Sequence, residues 1–153
     1  MELLEGEPLH WFSRDYRVRR GSEELTLIDM MFWVRGEFAL GGEQYRFRRE
    51  GLLAPSYVLE HGERVIARAE RTRIMPTQYR VTVEDRQLYL KPRLPGRTYL
   101  LVHGDRTIGE IRRRRLLFSR AFTAEFREPL ALEAEVFIVA LVLLRWRARA
   151  RAK

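Results

Sequence analysis

The fold is decided by a run near the C-terminus, Val136-Phe137-Ile138-Val139-Ala140-Leu141-Val142-Leu143-Leu144. If this run is helical, no face of the helix is polar, and a helix that is apolar on every face must be buried on every face. Burial of its large side chains contributes about 12 to 24 kcal/mol as an upper estimate, which a surface position would forfeit. The run therefore requires an apolar enclosure.

The residues around this run set the limits of the predicted helix. Pro129 suits the first turn of a helix, and Glu133 and Glu135 complement the positive end of the helix dipole, while arginines follow the apolar run. These signals predict a central helix over residues 130–147 and a basic tail over residues 148–153.

Two environments could enclose such a helix, a membrane or the interior of the protein. The uncharged run is about 13 to 14 Å long as a helix, whereas a membrane span needs about twenty apolar residues. Extension back to Leu130 brings in Glu133 and Glu135, each costing about 2 kcal/mol or more deep in lipid. The sequence favours a protein interior, and a C-terminal membrane anchor is the alternative.

The rest of the chain has the period of β-strands. Apolar and polar residues alternate in short runs over residues 11–127, most clearly in Gln44-Tyr45-Arg46-Phe47-Arg48. Turn signals separate the runs at Gly41-Gly42, His61-Gly62, Glu84-Asp85, Pro95-Gly96 and His103-Gly104. We expect a single domain over residues 1–153, mainly β, in which about 10–12 antiparallel strands form a closed β-barrel around the C-terminal α-helix. Residues 1–10 are interpreted as an N-terminal extension.

One stretch of sequence is repeated. Residues 57–66, YVLEHGERVI, align with residues 99–108, YLLVHGDRTI, at an offset of 42 residues. Each window is typical of strand, tight turn and strand, with Gly62 and Gly104 supplying the positive φ that a two-residue hairpin needs. The repeat predicts a duplicated hairpin.

The net charge of +8 is unevenly distributed along the 153 residues. Residues 1–60 carry a net charge of −3, residues 61–111 carry +4, and residues 112–153 carry +7. The excess is concentrated in Arg112–Arg115 and in the tail from Arg145 to Lys153, whereas most other basic residues have acidic neighbours.

The residue inventory excludes several classes of protein. The chain contains no cysteine, which removes disulfides, thiolate nucleophiles and cysteine-containing metal sites and is compatible with the cytoplasm. Its acidic, interrupted start is unlike a secretory signal. No nucleophile elbow, phosphate-binding glycine loop or His-x-x-x-His spacing occurs, so we expect neither an enzyme nor a cofactor.

Four local runs and the order of elements resemble the Tubby-like superfamily, which includes the Tubby C-terminal domain and phospholipid-scramblase-like proteins. The runs are Arg49–Leu59, Val65–Ala69, Ile108–Ile111 and Pro129–Trp146. The resemblance covers nearly the whole chain and implies a barrel of about twelve strands around the C-terminal helix. It also implies a phosphoinositide-binding or membrane-associated module, since family members bind phosphoinositides, anionic membranes, nucleic acid or calcium. No acidic calcium loop of the family's kind is present.

The candidate binding residues are the clustered arginines, which could contact phosphate groups of an anionic phospholipid or of a phosphorylated partner. They are Arg112, Arg113, Arg114, Arg115, Arg145, Arg147, Arg149 and Arg151. A solvated charged corner and a frayed, solubilising tail are the alternatives. Because alternate strand residues face opposite sides, four successive arginines cannot all line one wall.

Histidines at equivalent positions of the repeated hairpins suggest a second candidate site. His61 and His103, with Glu63 and Asp105, could form a metal site if the two hairpins were neighbours. Exposed hairpin tips are the more ordinary interpretation, since histidine tolerates left-handed turn geometry.

These observations predict a non-catalytic module at the cytoplasmic face of an anionic membrane. The alternatives are a structural or protein-interaction domain without a lipid role, and a membrane-anchored protein. Nucleic acid is disfavoured because strand alternation places the aromatic and arginine side chains on opposite faces. Oligomeric state is not determined by the sequence.

Overall fold

A computed structural model describes residues 2–8, 15–30, 35–51, 56–73, 77–93, 97–113 and 121–151 of the chain, without the side chains of residues 2, 25–30 and 147–151. The described elements are β1 (Glu2–Pro8), β2 (Tyr16–Arg20), β3 (Glu23–Met30), β4 (Arg35–Leu40), β5 (Glu43–Glu50), β6 (Ser56–His61), β7 (Arg64–Arg73), β8 (Gln78–Val83), β9 (Arg86–Arg93), β10 (Thr98–His103), β11 (Arg106–Arg113), β12 (Phe122–Phe126) and the helix α1 (Leu132–Arg151). The prediction of a mainly β chain with one C-terminal helix is confirmed.

The strands form a single antiparallel sheet in which sequence neighbours are also spatial neighbours. Each strand from β2 to β11 pairs with the strand before it and the strand after it, and β12 pairs with β11. The first strand, β1, pairs with both β2 and β12, so all twelve described strands have two hydrogen-bonded neighbours. The inner face of the sheet packs on the helix in one continuous apolar core.

The first strand corrects the interpretation of residues 1–10 as an extension. Residues 2–8 are part of the sheet, with Leu4 and Gly6 buried on its inner face. A Cβ at Gly6 would clash with the ring of Phe122, which is why a glycine interrupts the apolar pattern there. Glu5 and Glu7 alternate with these residues and face outward, where Glu7 lies 3.9 Å from Arg17.

Helix α1 is enclosed as its sequence requires. Every residue from Val136 to Leu144 is at most 8% exposed, and Leu141 is 1% exposed. The helix begins at Leu132 and continues to Arg151, beyond the predicted end at residue 147, because the alternating arginines and alanines of the tail have high helix propensity. Within the described part of the chain, no helix is long and apolar enough to cross a membrane.

The start of α1 is fixed by a buried carboxylate. Glu135 is fully buried, and its Oε2 accepts a hydrogen bond of 2.9 Å from the Leu130 backbone N–H. Its Oε1 lies 3.9 Å from Nη1 of Arg20, at the end of β2. Glu135 therefore joins the helix start to the sheet, in addition to complementing the helix dipole.

The duplicated hairpin is confirmed in detail. Residues 57–66 and 99–108 lie in the β6–β7 and β10–β11 hairpins, with Gly62 at φ 65° and Gly104 at φ 64°. The pairing register shifts after Leu59 in the first hairpin and after Leu101 in the second, positions that are also 42 residues apart. The repeat thus includes a β-bulge, which bends both hairpins at the same place.

Candidate anion-binding end of the sheet

The two ends of the sheet are built differently. Five two-residue turns join β2 to β3, β4 to β5, β6 to β7, β8 to β9 and β10 to β11, and they define the hairpin end. Helix α1 begins at this end, where Glu135 approaches Arg20. The six odd-numbered strands (β1, β3, β5, β7, β9 and β11) and the helix end on the opposite side, which we call the arginine end.

The two ends of the sheet also differ in charge. The last three residues of the six strands that end there include eight basic residues and three acidic residues, Glu7, Asp29 and Glu50. The basic residues are Arg48, Arg49, Arg71, Arg73, Lys91, Arg93, Arg112 and Arg113. The five turns of the hairpin end, taken with one residue on either side, contain six acidic residues and four basic ones. Both arginine clusters singled out from the sequence therefore begin at the same, basic end of the sheet.

The two described arginines of the first cluster occupy opposite faces of β11, as strand alternation predicts. Arg112 is exposed on the outer face, where its Nε lies 3.4 Å from Glu110 and its Nη2 lies 3.5 Å from Glu125. Arg113 is opposite Phe122, a core residue, and is half-buried on the inner face. Arg114 and Arg115 lie outside the described residues. Arg112 is thus neutralised by two carboxylates, whereas no described carboxylate pairs with Arg113.

The second cluster continues the helix. Arg145 is half-buried, and its Nε is buried without a hydrogen-bond partner. The neighbouring Trp146 packs edge-on against Tyr99 at the start of β10, with ring centroids 6.4 Å apart. Arg147, Arg149 and Arg151 belong to the last turns of α1, and their side chains lie outside the description.

Sequence reasoning missed a row of tyrosines at this end. Tyr57, Tyr79 and Tyr99 are each the second residue of an even-numbered strand, β6, β8 and β10. Tyr79 and Tyr99 are buried, Tyr57 packs against the core, and the rings of Tyr57 and Tyr79 are 6.2 Å apart. The sequence repeat could have identified Tyr57 and Tyr99, because each is the first residue of a repeated window.

Two arginines that the sequence analysis did not assign lie beside these tyrosines. In the register of the sheet, Arg49 is directly opposite Tyr57, and Arg71 is directly opposite Tyr79. Directly opposed residues of antiparallel strands share a face, with Cβ atoms about 4.5 to 5.5 Å apart. Arg49 and Arg71 therefore point to the inner side of the sheet, at its rim.

The positive charges of these arginines act on the pKa values of the tyrosines. Burial raises the pKa of Tyr57, and the charges of Arg49, Arg145 and Arg71 oppose that rise. Burial also raises the pKa of Tyr79 to about 12, again against the charges of Arg145 and Arg71. Both phenols are therefore neutral at physiological pH and can donate an O–H hydrogen bond.

The outer face at this end is neutralised by ion pairs. Glu50 lies 3.2 Å from Arg68, and Glu70 lies 2.7 Å from Arg80. These carboxylates immediately follow or precede the inward-facing Arg49 and Arg71 in sequence, but the pleat turns them outward. Among the described residues, no ion pair joins a carboxylate to Arg49, Arg71 or Arg145.

The suggested histidine site is not formed. Strands β6 and β10, which carry His61 and His103, are separated by β7, β8 and β9. His61 instead lies 2.7 Å from Glu43 and stacks on Tyr45, with ring centroids 4.7 Å apart. Within the described ranges, no group of three or more histidine or carboxylate side chains could hold a metal ion.

A recess of about 150 Å³ opens beside this histidine at the hairpin end. Tyr45, His61, Arg64, Glu84 and Glu133 contribute its polar lining. Its arginine and its carboxylates give it mixed charge, so it lacks the uniform sign of the arginine end.

The arginine end therefore offers guanidinium groups and neutral phenols, which donate hydrogen bonds to anions and have no strong nucleophile among them.

Comparison with known proteins finds no matching family model, curated protein or solved structure.

Proposed function

We propose that the protein is a non-catalytic binding module of the Tubby-like and scramblase-like kind, a barrel around its helix whose arginine end contacts phosphate groups of anionic phospholipid. The pairing of β1 with both β2 and β12 and the burial of α1 support the architecture. The single observation that carries the function is the separation of charge between the two ends of the sheet.

The separation matters because a flat membrane meets one end of a molecule at a time. Each arginine or lysine close to an anionic leaflet contributes about 1 kcal/mol of attraction. The end that holds the last residues of β5, β7, β9, β11 and α1 can present several such residues together. The opposite end, with acidic residues in and beside its turns, would be repelled by the same surface.

The sequence of the connecting segments agrees with this orientation. Residues 9–14, 31–34, 52–55, 74–76, 94–96 and 114–120, which lie outside the described residues, contain no aspartate or glutamate and include Trp11 and Trp33. Tryptophan is enriched in protein segments that contact the lipid headgroup region. This composition favours a phospholipid surface over a soluble phosphorylated partner.

The test is co-sedimentation of the full-length protein with vesicles of phosphatidylcholine, with and without phosphatidylserine. The informative variant replaces Arg147, Arg149 and Arg151 with glutamine. The matched control replaces Arg64, Arg86 and Arg106, which belong to the hairpin end, and changes the net charge equally.

We expect wild-type binding to need phosphatidylserine and to weaken with salt, since exposed charges are screened. The helix-end variant should bind about 100-fold more weakly, from three contributions of about 1 kcal/mol each. The hairpin-end control should bind like wild type. Equal weakening of both variants would show that net charge alone attracts the protein, and absence of wild-type binding would favour a structural or protein-interaction domain.

A further inference from the structure

Inside the arginine end, one group of side chains has hydrogen-bond donors in excess. Arg49 is directly opposite Tyr57, Arg71 is directly opposite Tyr79, and the rings of the two tyrosines are 6.2 Å apart. The charges of Arg49, Arg145 and Arg71 oppose the rise in the pKa of Tyr57, so Arg145 also lies within electrostatic range of this phenol. A guanidinium has five N–H donors and no acceptor, and a phenol has one donor and a weak acceptor. The group therefore has no strong acceptor among its own members.

Neighbouring carboxylates do not supply the missing acceptor. Glu50 and Glu70, which follow and precede two of these arginines in sequence, are paired on the outer face with Arg68 and Arg80. The connecting segments that come next in sequence, residues 52–55 and 74–76, contain no acidic residue. Among the described residues these three like charges have no carboxylate counter-charge, so they repel one another, and the Nε of Arg145 is buried without a hydrogen-bond partner.

The backbone positions the group firmly. Arg49 and Tyr57 are a directly opposed pair of β5 and β6, and Arg71 and Tyr79 are a directly opposed pair of β7 and β8. Between them on the inner face, β7 carries Ala69, whose small side chain fills little of the space between the two phenols. Arg145 is half-buried near the end of the helix, and Arg49 is exposed, which leaves the group open to solvent.

We propose that Arg49, Arg71 and Arg145, with the hydroxyls of Tyr57 and Tyr79, form a discrete site for one phosphate group at the inner rim of the arginine end. Forked guanidinium groups match the oxygens of phosphate, and the three charges suit a dianion better than a carboxylate. Free phosphate and the phosphate monoester of a headgroup share this chemistry. The inference deepens the proposed function, because it gives that end a specific phosphate site in addition to general attraction.

The probe is inorganic phosphate, titrated into the full-length protein by calorimetry at constant ionic strength, with chloride as the reference anion. We expect saturable binding of one phosphate per chain. Arg71→Gln should weaken it about 10- to 100-fold, the effect of losing a charged hydrogen bond. Arg68→Gln is the matched control, because it removes the same charge from the same strand on the outer face, and it should change the affinity less than 3-fold.

A second variant distinguishes loss of phosphate binding from loss of the folded structure. Tyr57→Phe removes a hydroxyl and leaves the ring, and it should weaken phosphate binding about 3- to 10-fold without changing the melting temperature of the unliganded protein. Phosphate should raise the melting temperature of the wild type more than chloride does, and it should raise that of Arg71→Gln less.

The outcomes separate the site from the membrane function. Phosphate binding that is absent from the wild type, equal to that of chloride, or equally weakened by Arg68→Gln would overturn the site, even if vesicles still bind. Phosphate binding that survives in the helix-end variant while vesicle binding is lost would support the site and locate surface attraction in the helix end. Glycerol phosphate and vesicles with phosphatidic acid, used as competitors, distinguish a free phosphate ester from a headgroup.

Discussion

The hairpin end and the arginine end use charge in opposite ways. At the hairpin end, Glu135 and His61 have partners: Glu135 contacts Leu130 and Arg20, and His61 contacts Glu43. At the arginine end the outer face is paired, but the inner arginines Arg49 and Arg71 face phenols. The comparison teaches that inward-facing charge is paired within the fold at one end and, among the described residues, has no carboxylate partner at the other.

Helix α1 runs from the hairpin end to the arginine end, so both ends depend on it. Disruption of this helix should have the largest effect on stability. Leu141→Arg places an unpaired charge at a position that is 1% exposed, which costs more than a domain of this size can lose. We expect no cooperative thermal transition and no native circular dichroism spectrum. Leu141→Met, with a similar volume, should fold with a loss below about 1.5 kcal/mol. A folded, soluble Leu141→Arg protein would contradict the central position of the helix.

The next largest effect on stability is expected when one charged residue is removed from each end. Glu135→Ala removes a buried carboxylate with two partners and should reduce the free energy of unfolding by about 2 to 4 kcal/mol. Arg145→Met removes a charge that lacks a described carboxylate partner and should change stability by less than about 1 kcal/mol. Urea unfolding measures both, and similar losses would remove the distinction between the ends.

Alkaline pH tests the buried phenols of the arginine end. Burial raises the pKa of Tyr79 to about 12 in the folded protein, whereas tyrosine in an unfolded chain titrates near 10. The folded state holds the proton more tightly, so this stabilisation is complete below pH 10 and is lost as pH rises toward 12. We expect the free energy of unfolding to fall by about 1 to 3 kcal/mol over that interval.

The control for this prediction is a pair of phenylalanine variants. Tyr79→Phe should show a smaller alkaline loss, since its phenol no longer titrates. Tyr89→Phe, at a half-buried outer position, should lose stability as the wild type does. An alkaline loss that is unchanged in Tyr79→Phe would mean that this phenol is not the group responsible.

The smallest effect concerns the hairpin end alone. Glu84 and Asp85 have positive φ values of 51° and 64°, while each of the other four two-residue turns begins with glycine. Glycine adopts this backbone conformation without steric cost, so Asp85→Gly should stabilise the protein by about 0.5 to 1 kcal/mol. Ser22→Gly serves as a control, because Ser22 is not one of the described residues with a positive φ. Equal gains from both variants would show that turn strain is not the cause.

The sequence was sufficient for features with a local signal. The all-apolar run predicted the buried helix, the period of two predicted the strands, and the repeated windows predicted a hairpin that proved to include its bulge. Strand β1 was missed because Gly6, which lies between two glutamates, and Pro8 are typical of loops, whereas glycine is needed at position 6 to admit the ring of Phe122.

The candidate phosphate site was missed for a different reason. Arg48, Arg49 and Glu50 are consecutive and look like mixed surface charge, and only the register shows that Arg49 faces inward beside Tyr57. Which partner each charge receives is set by neighbouring strands, as for Glu50 with Arg68. Such pairings join residues that are distant in sequence, and local patterns do not contain them.

The pairing of the first strand with the last has a consequence for how the chain folds. Every other strand pair joins neighbours in sequence and can form early, whereas Glu2 meets Phe126 across most of the chain. The helix that covers the inner face follows all twelve described strands in sequence, so it is synthesised after them. Until residues 132–144 are synthesised, the apolar side of the growing sheet lacks this partner, so the strands are exposed to aggregation until the helix emerges.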